Sequence, residues 1–276
     1  MLLFNGAFVN EKSVSISYQD RGFHFGDGVY EVFRVYDHQV YEMEAHLQRL
    51  EQSAKAIQLS LPYSLKQLDG MVDRLIRFNR LQNGTVYLQV TRGAAPRNHP
   101  FPSPQPKPTL LGFTSRLERP LEKLKKGVQA ITVPDIRWLR CDIKSLNLLP
   151  NTMAKQQAKE QEAEEAIQHR DGIVTECSAS NIMMIQNGTL RTHPANHLIL
   201  PGITRAVALR LAQELNIPVS ETAFTLEEMM QADEVFLTGT TVEIMPVTHI
   251  DGKPIRDGKT GPQTQLLQQA FEKNLP

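Results

Sequence analysis

The chain has 276 residues, 41% apolar and 22% charged, with 30 lysines and arginines against 30 aspartates and glutamates. A balanced charge and a pI near 7.1 give no basic footprint for nucleic acid, and the absence of low-complexity stretches excludes a disordered chain. At this length a sizeable core forms without disulfides or structural metal.

No apolar run approaches the ~20 residues needed to span a bilayer. The start, Met1-Leu-Leu-Phe-Asn-Gly, lacks a basic region and reads as a strand, not a signal peptide. Cys141 and Cys177 have no paired CxxC spacing and are expected as reduced thiols in a cytoplasm.

Strands are expected at residues 2–4 and 7–9, flanking an Asn5-Gly6 hairpin turn. Residues 29–36 are rich in β-branched and aromatic side chains and return through residues 37–39 to a strand over 40–43. Helical spacing follows at 44–59 and 65–79, the second capped by Ser64. Val86, Leu88 and Val90 alternate, marking a half-buried strand over 85–91. Between Pro96 and Pro108 there are six prolines in thirteen residues, which must form an exposed, stiffened loop. Residues 109–114 form the next strand.

Residues 115–126 carry seven charges and Pro120, the composition of a linker. The expected organisation is a domain over 1–114, a linker over 115–120 and a domain over 121–276. The second half mixes strands (128–133, 180–185, 234–238, 243–250) with helices (152–165, 203–215, 226–231, 263–274). The charged run 159–165 reads as a solvated helix face. Irregular interleaving and several hairpins predict an α+β protein with antiparallel pairing, not a regular βαβ array. His193 and His197 are four apart, but Pro194 follows the first and no third ligand has zincin spacing, so no metal site is expected.

Four segments carry chemistry. Lys144 lies in a largely apolar stretch after Arg137 and Arg140, where burial and nearby cations favour a reactive amine. Glu176 sits in a short polar segment as a partner for a ring nitrogen, or as a plain strand-end charge. Leu200-Pro-Gly-Ile-Thr-Arg205 opens a helix whose free N–H groups, hydroxyl and dipole suit a phosphate, though an ordinary helix cap explains it equally well. Thr238-Gly-Thr-Thr241 adds hydroxyls after an apolar strand. An amine, a carboxylate and two hydroxyl-rich anion loops are together what pyridoxal phosphate requires.

On its motifs the chain resembles the fold-type IV pyridoxal-phosphate enzymes, the class IV aminotransferases, and within them the D-amino-acid aminotransferases. They are Asp20-Arg-Gly-x-x-Phe-Gly-Asp-Gly-Val-Tyr-Glu31, His46-Leu-x-Arg-Leu50, Val90-Thr-Arg-Gly-x-x-Pro-Arg-x-His99, the run from Asp135 to Leu149 around Lys144, and His193-Pro-Ala-Asn-His-x-Ile-Leu-x-Gly-Ile-Thr-Arg205. The resemblance implies a two-domain fold and pyridoxal 5'-phosphate held covalently by Lys144, which also shuttles the proton at the substrate's Cα. By the same resemblance Glu176 faces the pyridine nitrogen. Arg49, Ile203, Thr204 and Thr240 bind the phosphate, and Tyr30, Arg97 and His99 bind the substrate carboxylate.

In that family the Arg-x-His loop reaches into a neighbouring subunit, which implies a homodimer. The implied reaction moves the amino group of D-alanine, or a similar D-amino acid, to 2-oxoglutarate. Alternatives sharing the same core residues are a branched-chain L-amino-acid aminotransferase and a 4-amino-4-deoxychorismate lyase. Cys177 stands where close relatives carry glycine and Gly239 where D-specific ones often carry serine, changes that bear on which side chains the pocket accepts.

Overall fold

The computed structural model describes residues 1–276. The chain is an α+β protein that divides into two compact units, one of Met1–Glu118 with Ile143–Leu148 and the terminal Pro276, the other of Arg119–Asp142 and Leu149–Leu275. The division falls between Glu118 and Arg119, inside the stretch read as a linker, and the segment holding Lys144 counts with the first unit.

The first unit contains β1 (Leu2–Phe4), β2 (Ala7–Val9), α1 (Arg21–Phe25), β3 (Gly28–Tyr36), β4 (Gln39–Val40), α2 (Met43–Ala56), α3 (Leu65–Asn79), β5 (Gly84–Thr91) and β6 (Thr109–Arg116). Its six strands run β2-β1-β6-β5-β3-β4, every neighbour antiparallel. Alternation puts Val29, Phe33 and Val35 of β3 into the core with Leu47 and Leu50 of α2. The Leu68, Val72, Leu75, Ile76 stripe of α3 packs into the same cluster. A capping box closes the start of α3: Gln67 N–H donates to Ser64 Oγ at 3.3 Å, and Ser64 N–H to Gln67 Oε1 at 2.9 Å. The strand expected at 40–43 stops at Val40, because Met43 already begins α2.

The second unit contains α4 (Leu121–Lys126), β7 (Val128–Pro134), α5 (Leu149–Glu160), β8 (Glu165–Arg170), β9 (Ile173–Cys177), β10 (Asn181–Gln186), β11 (Thr189–Thr192), α6 (Ile203–Glu214), β12 (Val219–Ser220), α7 (Leu226–Met230), β13 (Glu234–Gly239), β14 (Glu243–Ile250), β15 (Lys253–Pro254) and α8 (Pro262–Lys273). Its nine-stranded sheet runs β12-β11-β10-β13-β14-β7-β8-β9, with β15 on β14. Pairing is mostly antiparallel, but β7 runs parallel to both β14 and β8, and β11 runs parallel to β12. The charged run 159–165 is not all a helix face. The helix ends at Glu160, and Glu165 opens β8 as a buried acceptor for Ser180 Oγ at 3.0 Å and for Ser178. No helix is long and apolar enough to cross a membrane.

Candidate active site

In the first unit, α2 carries a buried polar stripe, His46, Arg49 and Ser53, one helical face beside the apolar Leu47, Leu50 and Ala54. It meets Glu31, a charge at a core-facing position of β3 with no exposed surface. Arg49 donates Nε to Glu31 Oε1 at 2.7 Å and Nη2 to Oε2 at 2.9 Å, and His46 Nδ1 lies 2.7 Å from Oε2. Burial works to raise the Glu31 carboxyl, but the charge and hydrogen bond of Arg49 and the contact with His46 prevail and hold it near 2. With Glu31 ionised, the His46 Nδ1 is the donor. Burial keeps the His46 imidazole below its ordinary value despite the carboxylate.

The same stripe anchors the lysine. Ser53 Oγ accepts the Lys144 N–H at 3.1 Å. The segment Ile143–Leu148 runs along the start of β3, where Tyr30 N–H donates to Lys144 C=O and Leu146 N–H to Gly28 C=O, both at 3.1 Å. This approach needs glycine at 28, since a Cβ there would stand 2.6 Å from the Val90 carbonyl oxygen and 2.8 Å from Leu146. The Lys144 ammonium lies over the Tyr30 ring, 4.3 Å from its centroid. Tyr30 stacks on Tyr87, and Tyr87 on Phe113. Arg97 and His99 are exposed and share one neighbour: the Arg97 guanidinium and the His99 ring lie 5.2 and 5.5 Å from the Phe25 ring.

In the second unit Glu176 ends a fully engaged acceptor cluster. Its carboxylate accepts from Asn181 Nδ2 at 2.8 Å, from Leu200 N–H at 3.0 Å and from Arg137 Nη1. Arg137 gives Nε and Nη2 to Asp135, at 2.9 and 2.8 Å. Burial pushes the Glu176 carboxyl up to about 7, against the pull of Arg137 and the Leu200 N–H, and the Asp135 charge adds to the rise. Asn181 links this cluster to the start of α6. Its Nδ2 also donates to Leu200 C=O at 2.9 Å, and its Oδ1 fills the space that a Cβ on Gly202 would occupy.

Gly202 is the N-cap of α6 and brings no side chain to the helix's first N–H groups, those of Ile203 and Thr204. Opposite Asn181 in the sheet is Thr238, whose buried Oγ1 has no hydrogen-bond partner. Thr240 follows in the turn after Gly239. Bare helix N–H groups behind a glycine that tolerates no side chain, with a partnerless hydroxyl on the adjoining strand, are the donor set a phosphate ester requires. A buried carboxylate beside that turn suits a protonated ring nitrogen. The residues present fit pyridoxal phosphate.

Residues 28–250 match the family described as Amino-transferase class IV. The chain belongs to the class IV aminotransferases. It is a pyridoxal-phosphate-dependent aminotransferase, with an amino acid and a 2-oxo acid as its substrates. The D-alanine aminotransferase of Staphylococcus epidermidis is 50% identical over 99% of this chain and 97% of that protein. The branched-chain amino acid aminotransferase of Escherichia coli superposes with a TM-score of 0.92 at 28% identity, over 99% of this chain and 93% of that one. A branched-chain amino acid aminotransferase from T.th., solved with pyridoxamine 5'-phosphate, has a TM-score of 0.91 at 26% identity, over 99% and 92%.

Within the family frame, Lys144, Tyr30 and Arg49 fall on adjoining segments of one unit, and Glu176, Ile203, Thr204 and Thr240 fall on the other. Glu31, His46, Arg137 and Asn181 had no role assigned from sequence, and they are the groups that hold the assigned ones in place. Glu31, His46 and Arg137 stand within the family motifs, and Glu31 also shows as a charge at a core-facing strand position.

Proposed function

We propose that this aminotransferase moves the amino group of D-alanine, or a similar D-amino acid, to 2-oxoglutarate, giving pyruvate and D-glutamate, as a cytoplasmic homodimer. The observation that carries the D-specific reading is the gathering of Arg97 and His99 around Phe25, together with full-length identity near 50% to a D-alanine aminotransferase. Support for the dimer is that Arg97 and His99 face solvent in the single chain, on a proline-braced loop in a unit that also exposes Tyr18 and Phe23. Support for the cytoplasm is that Cys141 and Cys177 are both free thiols.

Pyridoxal phosphate supplies an aldehyde that takes up the amino group and a ring that accepts the electron pair released at Cα. Lys144 would hold the cofactor through its amine, and the same amine would carry the proton at the substrate's Cα. Glu176 would face the ring nitrogen and favour its protonated form. The Ile203 and Thr204 N–H groups, Thr240 and Arg49 hold the phosphate, with Glu31 and His46 fixing the Arg49 guanidinium.

Stereochemistry then follows from geometry. Because Lys144 works on one face, the Cα–H bond points toward it in either enantiomer, and exchanging D for L exchanges carboxylate and side chain. Arg97 offers a fork matched to a carboxylate, with Tyr30 and His99 as further donors. The L-isomer would set an alkyl group against those donors, a loss of about 1–3 kcal/mol per unpaired group. The test compares kcat/KM for D- and L-alanine, with L-leucine in parallel, in wild type and Arg97→Ala. D-alanine should be preferred roughly tens- to a thousandfold, and Arg97→Ala should erase most of that margin. Preference for L-leucine would establish a branched-chain enzyme instead, and pyruvate formed from aminodeoxychorismate without any 2-oxo acid would establish a lyase.

A further inference from the structure

We infer that Arg21 is a positioning residue that presets the Arg97–His99 loop for the substrate carboxylate; the inference rests on the carboxylate role proposed for that loop. Arg21 opens α1 and is 2% exposed. Its Nη1 donates to the Asn98 carbonyl at 2.6 Å and its Nη2 to the His99 carbonyl at 3.3 Å. Those carbonyls belong to His99 and to the residue between Arg97 and His99, so one guanidinium holds the backbone between the two side chains. Its Nε donates to Asp27 Oδ2 at 2.6 Å.

The same Asp27 oxygen accepts Arg92 Nε at 2.8 Å. Arg92 in turn donates Nη2 to the Ile57 carbonyl at 2.7 Å and Nη1 to the Gln58 carbonyl at 2.9 Å, just beyond α2, and lies 3.7 Å over the Phe101 ring. A continuous buried line thus runs from the end of α2 through Arg92, Asp27 and Arg21 to the loop. Such a line is required because the loop's six prolines have no N–H of their own for a backbone ladder. Gripping the loop by its carbonyls needs none of those N–H groups.

Arg21 also fixes where the side chains go. Its guanidinium covers the Phe25 ring at 4.6 Å, the ring that Arg97 and His99 flank. Holding the backbone in advance lowers the ordering cost of two long, exposed side chains when a carboxylate arrives. A lysine cannot reproduce this, since one ammonium does not present a rigid fork to a carboxylate and two carbonyls together.

The test uses the holoenzyme with Arg21→Lys, which keeps the charge beside Asp27, and Asp27→Asn, which keeps Arg21 but removes its orienting anion. Arg97→Ala runs alongside, and thermal unfolding is followed for each. Arg21→Lys should raise KM for D-alanine roughly tenfold, lower the D-to-L ratio of kcat/KM by a similar factor, and leave kcat within about twofold. Asp27→Asn should shift both quantities the same way by less. If Arg97→Ala raises KM while both other variants keep the wild-type KM and ratio, the positioning role is overturned and the carboxylate role stands. A fall in kcat or melting temperature with the D-to-L ratio unchanged also overturns it, since a purely structural arginine does that. If Arg97→Ala itself changes nothing, the carboxylate role fails and this inference with it.

Discussion

A buried glutamate meets an arginine in each unit, Glu31 with Arg49 in the first and Glu176 with Arg137 in the second, and these two carboxyls move in opposite directions. Glu31 is held near 2, and Glu176 is pushed to about 7. Burial raises both, so the difference lies in the arginine. Arg49 turns Nε and Nη2 on Glu31, and His46 adds a further contact. Arg137 turns Nε and Nη2 on Asp135 and reaches Glu176 with Nη1. Asp135 therefore takes most of the cation and adds a like charge of its own. How squarely the arginine faces the buried carboxylate thus helps set its proton affinity, alongside burial and neighbouring charges. Glu31, met by two nitrogens of Arg49, is a fixed anion beside the arginine proposed for the phosphate. Glu176 is a carboxyl poised near neutrality, suited to sharing a proton with a ring nitrogen.

The largest expected effect separates the two pairs by stability. Glu31→Gln strands the buried Arg49 without its anion and should cost roughly 3–5 kcal/mol, read from urea unfolding of the cofactor-free protein. Glu176→Gln leaves Arg137 its Asp135 partner and should cost about 1–3 kcal/mol. Equal losses would mean that the sharing of Arg137 does not distinguish the sites.

The next effect is kinetic. In the role proposed for Glu176, replacing its carboxylate by an amide in the holoenzyme removes a charge-assisted bond to the ring nitrogen. Glu176→Gln should lower kcat roughly ten- to a hundredfold while KM for D-alanine stays close to wild type. A raised KM with kcat intact would place Glu176 at the substrate instead.

How far these pairs were legible in sequence follows from where their signal lies. Helix α3 matched its expected span, Leu65–Asn79, because its apolar stripe and Ser64 cap are local. β14 likewise spans Glu243–Ile250 as expected. β8 and β9 lie outside the expected strands because Glu165, Gln168, Thr175 and Glu176 are buried polar residues, so no apolar alternation marks them. For the same reason α5 was extended across residues 161–165. The amine, the carboxylate and the helix start were recognisable as motifs. Asp135's hold on Arg137 and Arg21's grip on the loop were not, since each joins side chains whose meeting depends on tertiary structure.

The smallest effect is the one that reads the two carboxyls most directly, through the pH dependence of stability. Glu31 has a folded value near 2 against an ordinary 4.5. Its contribution is complete above pH 4.5 and is lost as pH falls from there through 2. Glu176 has a folded value near 7 against an ordinary 4.5. Between those values the folded protein holds a proton that the unfolded chain has released, so stability declines as pH rises. From pH 4.5 to 6 the decline amounts to ~2 kcal/mol. Urea unfolding of cofactor-free wild type, Glu31→Gln and Glu176→Gln across pH 3.5–8 isolates each group by subtraction. Wild type minus Glu176→Gln should fall from pH 4.5 to 7 and then level. Wild type minus Glu31→Gln should stay level over that range and drop only below pH 4.5. If the Glu176 difference stayed flat or rose toward neutrality, its carboxyl would be ionised throughout, and the contrast between an arginine turned on Glu31 and one turned on Asp135 would fail at its physical root.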